Sequence, residues 1–156
     1  MTSTPDASTD PTAEPRTFID TNVLVYAHDA SEPARQPLAR AVLEQLWTSR
    51  TGVLSTQVLQ EFYAVATSLQ KLSMSPSEAR EIIELYSAWP VIVLEPTLIL
   101  TASRLHEQRS VAWWDALIIE AARVAGAERI LSEDLQDGQE FEGVRIENPF
   151  RVGPRG

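Results

Sequence analysis

A chain of 156 residues, 44% hydrophobic and 22% charged, is long enough to enclose one sizeable core and has the make-up of an ordinary globular domain. It has no cysteine, which excludes disulfides and thiolate metal sites, and its two histidines, His28 and His106, argue against a histidine-rich zinc centre. The formal charge of -9 argues against a protein that coats nucleic acid by bulk charge. Met1 to Arg16 holds three of the acids and one of the bases, so the remainder, with 19 acids against 12 bases, is acidic too.

Met1 to Pro15 is rich in Ser, Thr, Pro, Asp and Ala and has no periodicity. Residues 1–16 are expected to form a disordered tail, 17–150 the folded domain and 151–156 a short frayed end. No secretory signal is visible at the start and no run approaches the roughly 18 apolar residues of a membrane span, so a cytoplasmic location is expected.

Thr17 to Asp20 reads as a short buried strand, with a turn or helix start at Thr21 and Asn22. Ala34 to Ser49 reads as a helix with Leu38, Val42, Leu46 and Trp47 on one stripe, and Gly52 to Leu54 as a very short strand. Ser55 or Thr56 is placed to cap a helix running to about Gln70, whose apolar face is Val58, Leu59, Phe62, Val65, Ala66 and Leu69. Ser75, Pro76, Ser77 and Glu78 form a capping box that starts a helix to about Trp89. Val91 to Leu94 follows as a strand, then helices over Thr97 to Gln108 and Ala112 to Ala125, the second closed by Gly126. Arg129 to Leu131 and Val144 to Ile146 are the last strands. Short apolar strands alternating with helices predict an α/β fold with a parallel sheet covered on both faces, in which sites form at the carboxyl ends of the strands.

Four acids sit on or beside these apolar surfaces. Asp20 ends the first strand, Glu61 flanks the Val58–Val65 stripe, Asp115 shares a helix face with Ile118, Ile119 and Ala122, and Asp134 follows the strand ending at Leu131. Each has an ordinary explanation. Asp20 and Asp134 suit turns or helix caps, Glu61 an exposed edge, and Asp115 the first turn of a helix, where the dipole favours an anion. Together they demand more, because clustered carboxylates without cations repel and do not all stay ionised. Mg²⁺ or Mn²⁺ resolves that conflict, since both prefer oxygen ligands. Such a centre is suited to phosphodiester hydrolysis, with one or two ions, and two-ion chemistry leaves a 3′-hydroxyl and a 5′-phosphate.

The order of "FIDTNVLVYA", a helical Glu, "WWDALIIEAA" and "LSEDLQDG" resembles the PIN-domain nucleases, and among them the VapC-type toxins of bacterial toxin–antitoxin pairs. The resemblance covers about Thr17 to Pro149. It implies a three-layer α/β/α fold with a central parallel sheet and an Mg²⁺- or Mn²⁺-dependent endoribonuclease. Asp20, Glu61, Asp115 and Asp134 fall where the family places its metal-binding acids. Asn22 and Ser132 fall where it has supporting polar residues, and Asp137 is either an extra ligand or a turn residue. The resemblance also implies an RNA substrate, a homodimer and a cognate antitoxin.

Among the remaining residues, Trp113 and Trp114 suit packing in the core or at a dimer interface better than stacking on bases, and the solitary histidines suit surface or satisfied core positions. The bases are nearly all Arg, some suited to phosphate contact and others to pairing with Glu. Two rival functions stand beside the nuclease. An aspartate-based phosphatase wants a second Asp where Asn22 stands, and a non-catalytic binding module on the same scaffold has no need of four acids on apolar faces.

Overall fold

The structure, a computed structural model, describes residues 15–151, so most of the two expected tails lies outside the described residues. Six strands, β1 (Arg16–Ile19), β2 (Gly52–Ser55), β3 (Val91–Ile92), β4 (Ala127–Leu131), β5 (Glu140–Phe141) and β6 (Val144–Glu147), form one sheet in the order β3-β2-β1-β4-β6-β5. All neighbours are parallel except β5 and β6. The helices are α1 (Thr21–Ala27), α2 (Gln36–Ser49), α3 (Thr56–Ala66), α4 (Pro76–Tyr86), α5 (Pro96–Arg109) and α6 (Trp113–Val124). None of the described helices is long and apolar enough to cross a membrane.

This order explains how the layers arise. The chain steps outward from β1 to β2 to β3, then returns across them to β4. Right-handed crossovers running in opposite directions put their helices on opposite faces of a sheet. Helices α1 to α4 accordingly pack on one another, and α5 packs on α6, which also meets β2 and β4. The result is the expected three-layer α/β/α architecture. Connections leave β1 and β4 in opposite directions, so the crevice between their carboxyl ends is the topological switch point, where open α/β sheets bind ligands.

Both faces of the central strands are buried, which is why they read as continuous apolar runs: Phe18, Ile19, Val53, Leu54, Ile130 and Leu131 all lie in the core. Phe62 and Ile119 reach that core from α3 and α6 and are fully enclosed. Burying a side chain of that size stabilises the fold by ~1.5–3 kcal/mol. At the other side, Gly52 lies against Trp89, whose indole forms a cluster with Trp47 and Tyr86 at centroid separations of 5.1–5.5 Å.

Several expectations shift in detail. β1 begins at Arg16, which pairs with Ala127 and donates from Nη1 to the Ala125 carbonyl at 3.0 Å, so this residue belongs to the sheet rather than the tail. The buried stripe of α2 is Ala39, Leu43 and Leu46, with Leu38, Val42 and Trp47 only half-buried, because the helix is rotated by one position from the predicted face. Helix α3 stops at Ala66 rather than near Gln70. The Ala66 carbonyl is taken by Met74 N at 2.8 Å as the chain turns back, which leaves Leu69 87% exposed. Strand β5 was not expected. It pairs with β6 through a tight turn at Glu142 and Gly143, both at positive φ, the backbone of a type I′ hairpin.

Candidate functional site

Asp20 is the hinge between sheet and helix. Its backbone N–H donates to the Leu131 carbonyl at 3.0 Å, tying the end of β1 to the end of β4. Its extended backbone then releases α1, and its side chain caps that helix by accepting from Thr21 N at 2.7 Å. The other carboxylate oxygen accepts from Ser132 Oγ at 2.7 Å. The carboxyl is 6% exposed. Burial pushes its pKa up from 3.8 to about 6, opposed by the Ser132 and Thr21 bonds and reinforced by Asp134 and Glu61. Capping and membership of the acid cluster are therefore two roles of one residue.

Asp134 comes to Asp20 through the turn after β4. Buried Ser132 receives the N–H groups of Asp134 and Leu135 at 3.2 and 3.3 Å, which folds the turn back over the strand end. Asn22, in the first turn of α1, donates to Asp134 Oδ2 at 3.0 Å and accepts from Glu133 N at 3.4 Å. Glu61 enters from α3. Its two oxygens accept from Thr21 Oγ1 at 2.9 Å and from Gln57 Nε2 at 2.7 Å. Asp115 stands half-buried in the first turn of α6, which has no side-chain N-cap. Its pKa is raised by burial, then by the charges of Asp134 and Glu61, and no hydrogen bond opposes that shift.

All four sequence-predicted acids are thus brought to the switch point, where Asp134 and Glu61 add to the upward shifts of Asp20 and Asp115, and Asn22 and Ser132 hold two of them in place. Asp137 is engaged elsewhere: it accepts from Asn148 N at 2.9 Å and from Arg151 at 3.1 Å, anchoring the chain after β6. The four acids offer oxygen donors only, all anionic when ionised and mutually repelling, which is the donor chemistry a hard divalent cation requires. Three of the four are turned toward protein donors, and among the described residues no three such side chains lie close enough together in this structure to hold an ion.

Sequence reasoning missed three supports. Thr21 reaches Glu61 across two helices, and a signal existed only in its adjacency to Asp20. Gln57 lies four residues before Glu61, on the same helix face, a spacing that does mark side-chain partners. Glu133 gathers Tyr26 at 2.8 Å and Arg35 at 2.6 Å, with Arg35 also over the Tyr26 ring, and so fastens the Ser132–Asp134 turn to α1 and the loop after it. Nothing local in the sequence announces that contact. Most of the other arginines that form ion pairs do so away from the acids: Arg123 with Glu120, and Arg129 and Arg145 with Glu147. His28 lies against Phe62, and His106 hydrogen-bonds to the Val111 carbonyl, so neither contacts the acids. Trp113 is half-buried beside His106, and Trp114 is 65% exposed, outside the core of this chain.

No curated protein matches the chain. Among solved structures, a VapC toxin of Mycobacterium tuberculosis described as cleaving the sarcin–ricin loop aligns at TM-score 0.58 and 22% identity, over 76% of this chain and 91% of that one. A toxin–antitoxin complex from Klebsiella pneumoniae aligns at TM-score 0.64 and 15% identity, over 87% and 99%. The DNA-bound VapBC complex of Salmonella typhimurium aligns at 0.61 and 17%, also over 87% and 99%. At these identities the likeness is one of fold. The model of the PIN domain matches residues 17–137, a span that opens on β1 and takes in all four acids and the turn at Asp137; with the switch-point geometry beside it, this chain belongs to the PIN-domain family.

Proposed function

We propose that this protein is a divalent-metal-dependent endoribonuclease and the toxin of a toxin–antitoxin pair. The observation that carries the reading is the meeting of Asp20, Glu61, Asp115 and Asp134 at the switch point, with two of their carboxyls held above the ordinary range by burial and by the other acids. A protein gains no stability from such an arrangement, and a cation removes the repulsion. Asp20, Asp115 and Asp134 would hold Mg²⁺ or Mn²⁺, with Glu61 completing the set. An ion held there would supply Lewis acidity and offset charge at the scissile phosphate. Glu61, fixed by Thr21 and Gln57, orients the attacking water and accepts its proton. Ser132 and Asn22 keep Asp20 and Asp134 in register.

RNA as the substrate class is supported by the sarcin–ricin loop named for the Mycobacterium tuberculosis toxin. An antitoxin partner is supported by the Klebsiella pneumoniae and Salmonella typhimurium complexes. Exposed Leu85, Leu100, Trp114 and Val124 supply apolar surface for such a partner and for a homodimer in the cytoplasm. The test is cleavage of RNA by the purified protein in Mg²⁺ or Mn²⁺, against EDTA and Asp20→Asn. Cleavage confined to the metal-loaded wild type supports the reading. Cleavage that survives both controls overturns it.

A further inference from the structure

We propose that Gln57 is the positioning residue that locks Glu61 to the helix carrying Asp115. The inference rests on reading the four acids as a metal centre. The Gln57 amide nitrogen donates to Glu61 Oε1 at 2.7 Å and to the backbone carbonyl of Trp114 at 3.2 Å. Trp114 is the residue immediately before Asp115, so one NH₂ group, with both hydrogens used, spans α3 and the first turn of α6. Turning the amide over would set its carbonyl against a carboxylate and a second carbonyl, all acceptors, so the observed orientation is the only favourable one.

The cost of this contact shows that packing alone does not account for it. Gln57 is 6% exposed, and its Oε1 is buried with no hydrogen-bond partner, the only such side-chain atom among the described residues. A buried acceptor left unpaired is destabilising, and Leu or Met at this position would bring no such atom. What Gln57 supplies instead is a fixed place for Glu61. With Thr21 Oγ1 holding the other oxygen at 2.9 Å, both carboxylate oxygens are pinned, one from α1 and one from α3. Because the same amide grips the peptide before Asp115, a single side chain ties Glu61 to the start of the helix that carries Asp115.

The test compares wild type, Gln57→Leu and Glu61→Gln, and the double variant, with two readouts: Mn²⁺ binding by calorimetry, and kcat and KM on an RNA oligonucleotide. Loss of a residue that orients a metal ligand weakens metal affinity or activity by about ten- to a hundredfold. We expect Gln57→Leu to keep the wild-type circular dichroism, to bind Mn²⁺ about tenfold more weakly, and to lose kcat with KM for RNA unchanged. In the Glu61→Gln background the same change should have a clearly smaller effect, since what it then removes is the hold on the Trp114 carbonyl alone. If Leu is not accommodated, Gln57→Met, unbranched and of similar volume, carries the same expectation. Mn²⁺ affinity and kcat within twofold of wild type, or an undiminished effect in the Glu61→Gln background, overturns the inference while leaving the metal centre intact. A wild type that binds no Mn²⁺ overturns the metal-centre reading and this inference with it.

Discussion

Replacing Asp20 by Asn should abolish activity and stabilise the metal-free protein at neutral pH. In the fold the Asp20 carboxyl ionises at about 6 rather than 3.8, because it is buried and faces Asp134 and Glu61. The folded state therefore holds this proton more tightly than the unfolded chain. Relative to the ionised group, the proton favours folding by an amount fully present below pH ~4 and lost as pH rises through ~6. The rise from 3.8 to about 6 corresponds to ~3 kcal/mol. Asn keeps an oxygen for only one of the two donors, Thr21 N and Ser132 Oγ, which bond to different oxygens of Asp20, and its NH₂, uncharged, does not repel the neighbouring acids. In EDTA at pH 7.5 the variant should gain up to ~3 kcal/mol, a rise in Tm of roughly 6–12 °C for a chain of this size. At pH 4 the gain should vanish. Calorimetric scans of both proteins across that range decide the matter. A variant no more stable than wild type at pH 7.5, or a difference that does not change with pH, would show that Asp20 is a helix cap whose charge costs nothing.

Two further outcomes test the frame around the site. A Cβ at Gly52 would lie 2.5 Å from the Trp89 ring, enclosed by Trp47 and Tyr86, so Gly52→Ala should cost ~1–3 kcal/mol by overpacking, read as a fall in denaturation midpoint. An unchanged midpoint would mean the aromatic cluster yields freely. Tyr26 has its phenol pushed up to about 12 by burial and by its bond to Glu133. In Glu133→Gln the ultraviolet titration of that phenol should move down toward 10, while Arg35 loses its ionic partner; an unmoved titration would remove Glu133 as the anchor of the turn that carries Asp134.

The parts of this molecule visible in its sequence are those set by local rules. Ser75 accepts from Glu78 N at 3.1 Å, as a capping box requires, and Gly126 follows α6 at φ +71°, as a helix-ending glycine does. The four acids were legible for a different reason: charge beside apolar runs is anomalous, and the anomaly repeats at strand ends and helix faces. What could not be read depends on contacts across the fold. Leu69 fits the α3 stripe, yet Met74 N returns to take the Ala66 carbonyl and the helix ends before reaching it. Strand β5 is two residues long, too short for any periodicity, and exists because Glu142 and Gly143 turn it onto β6. Thr21, Gln57 and Glu133 have no motif of their own, since their partners lie on other elements or depend on which face of a helix meets the site.

Whether Asp20, Glu61, Asp115 and Asp134 together hold a divalent cation is measured most directly by calorimetric titration of the purified protein with Mn²⁺. The same titration is run on Asp20→Asn, Glu61→Gln, Asp115→Asn and Asp134→Asn. The wild type should bind saturably, and each amide variant should lose affinity by about tenfold or more. Binding that is absent in the wild type, or equally strong in all four variants, would contradict a shared cation site.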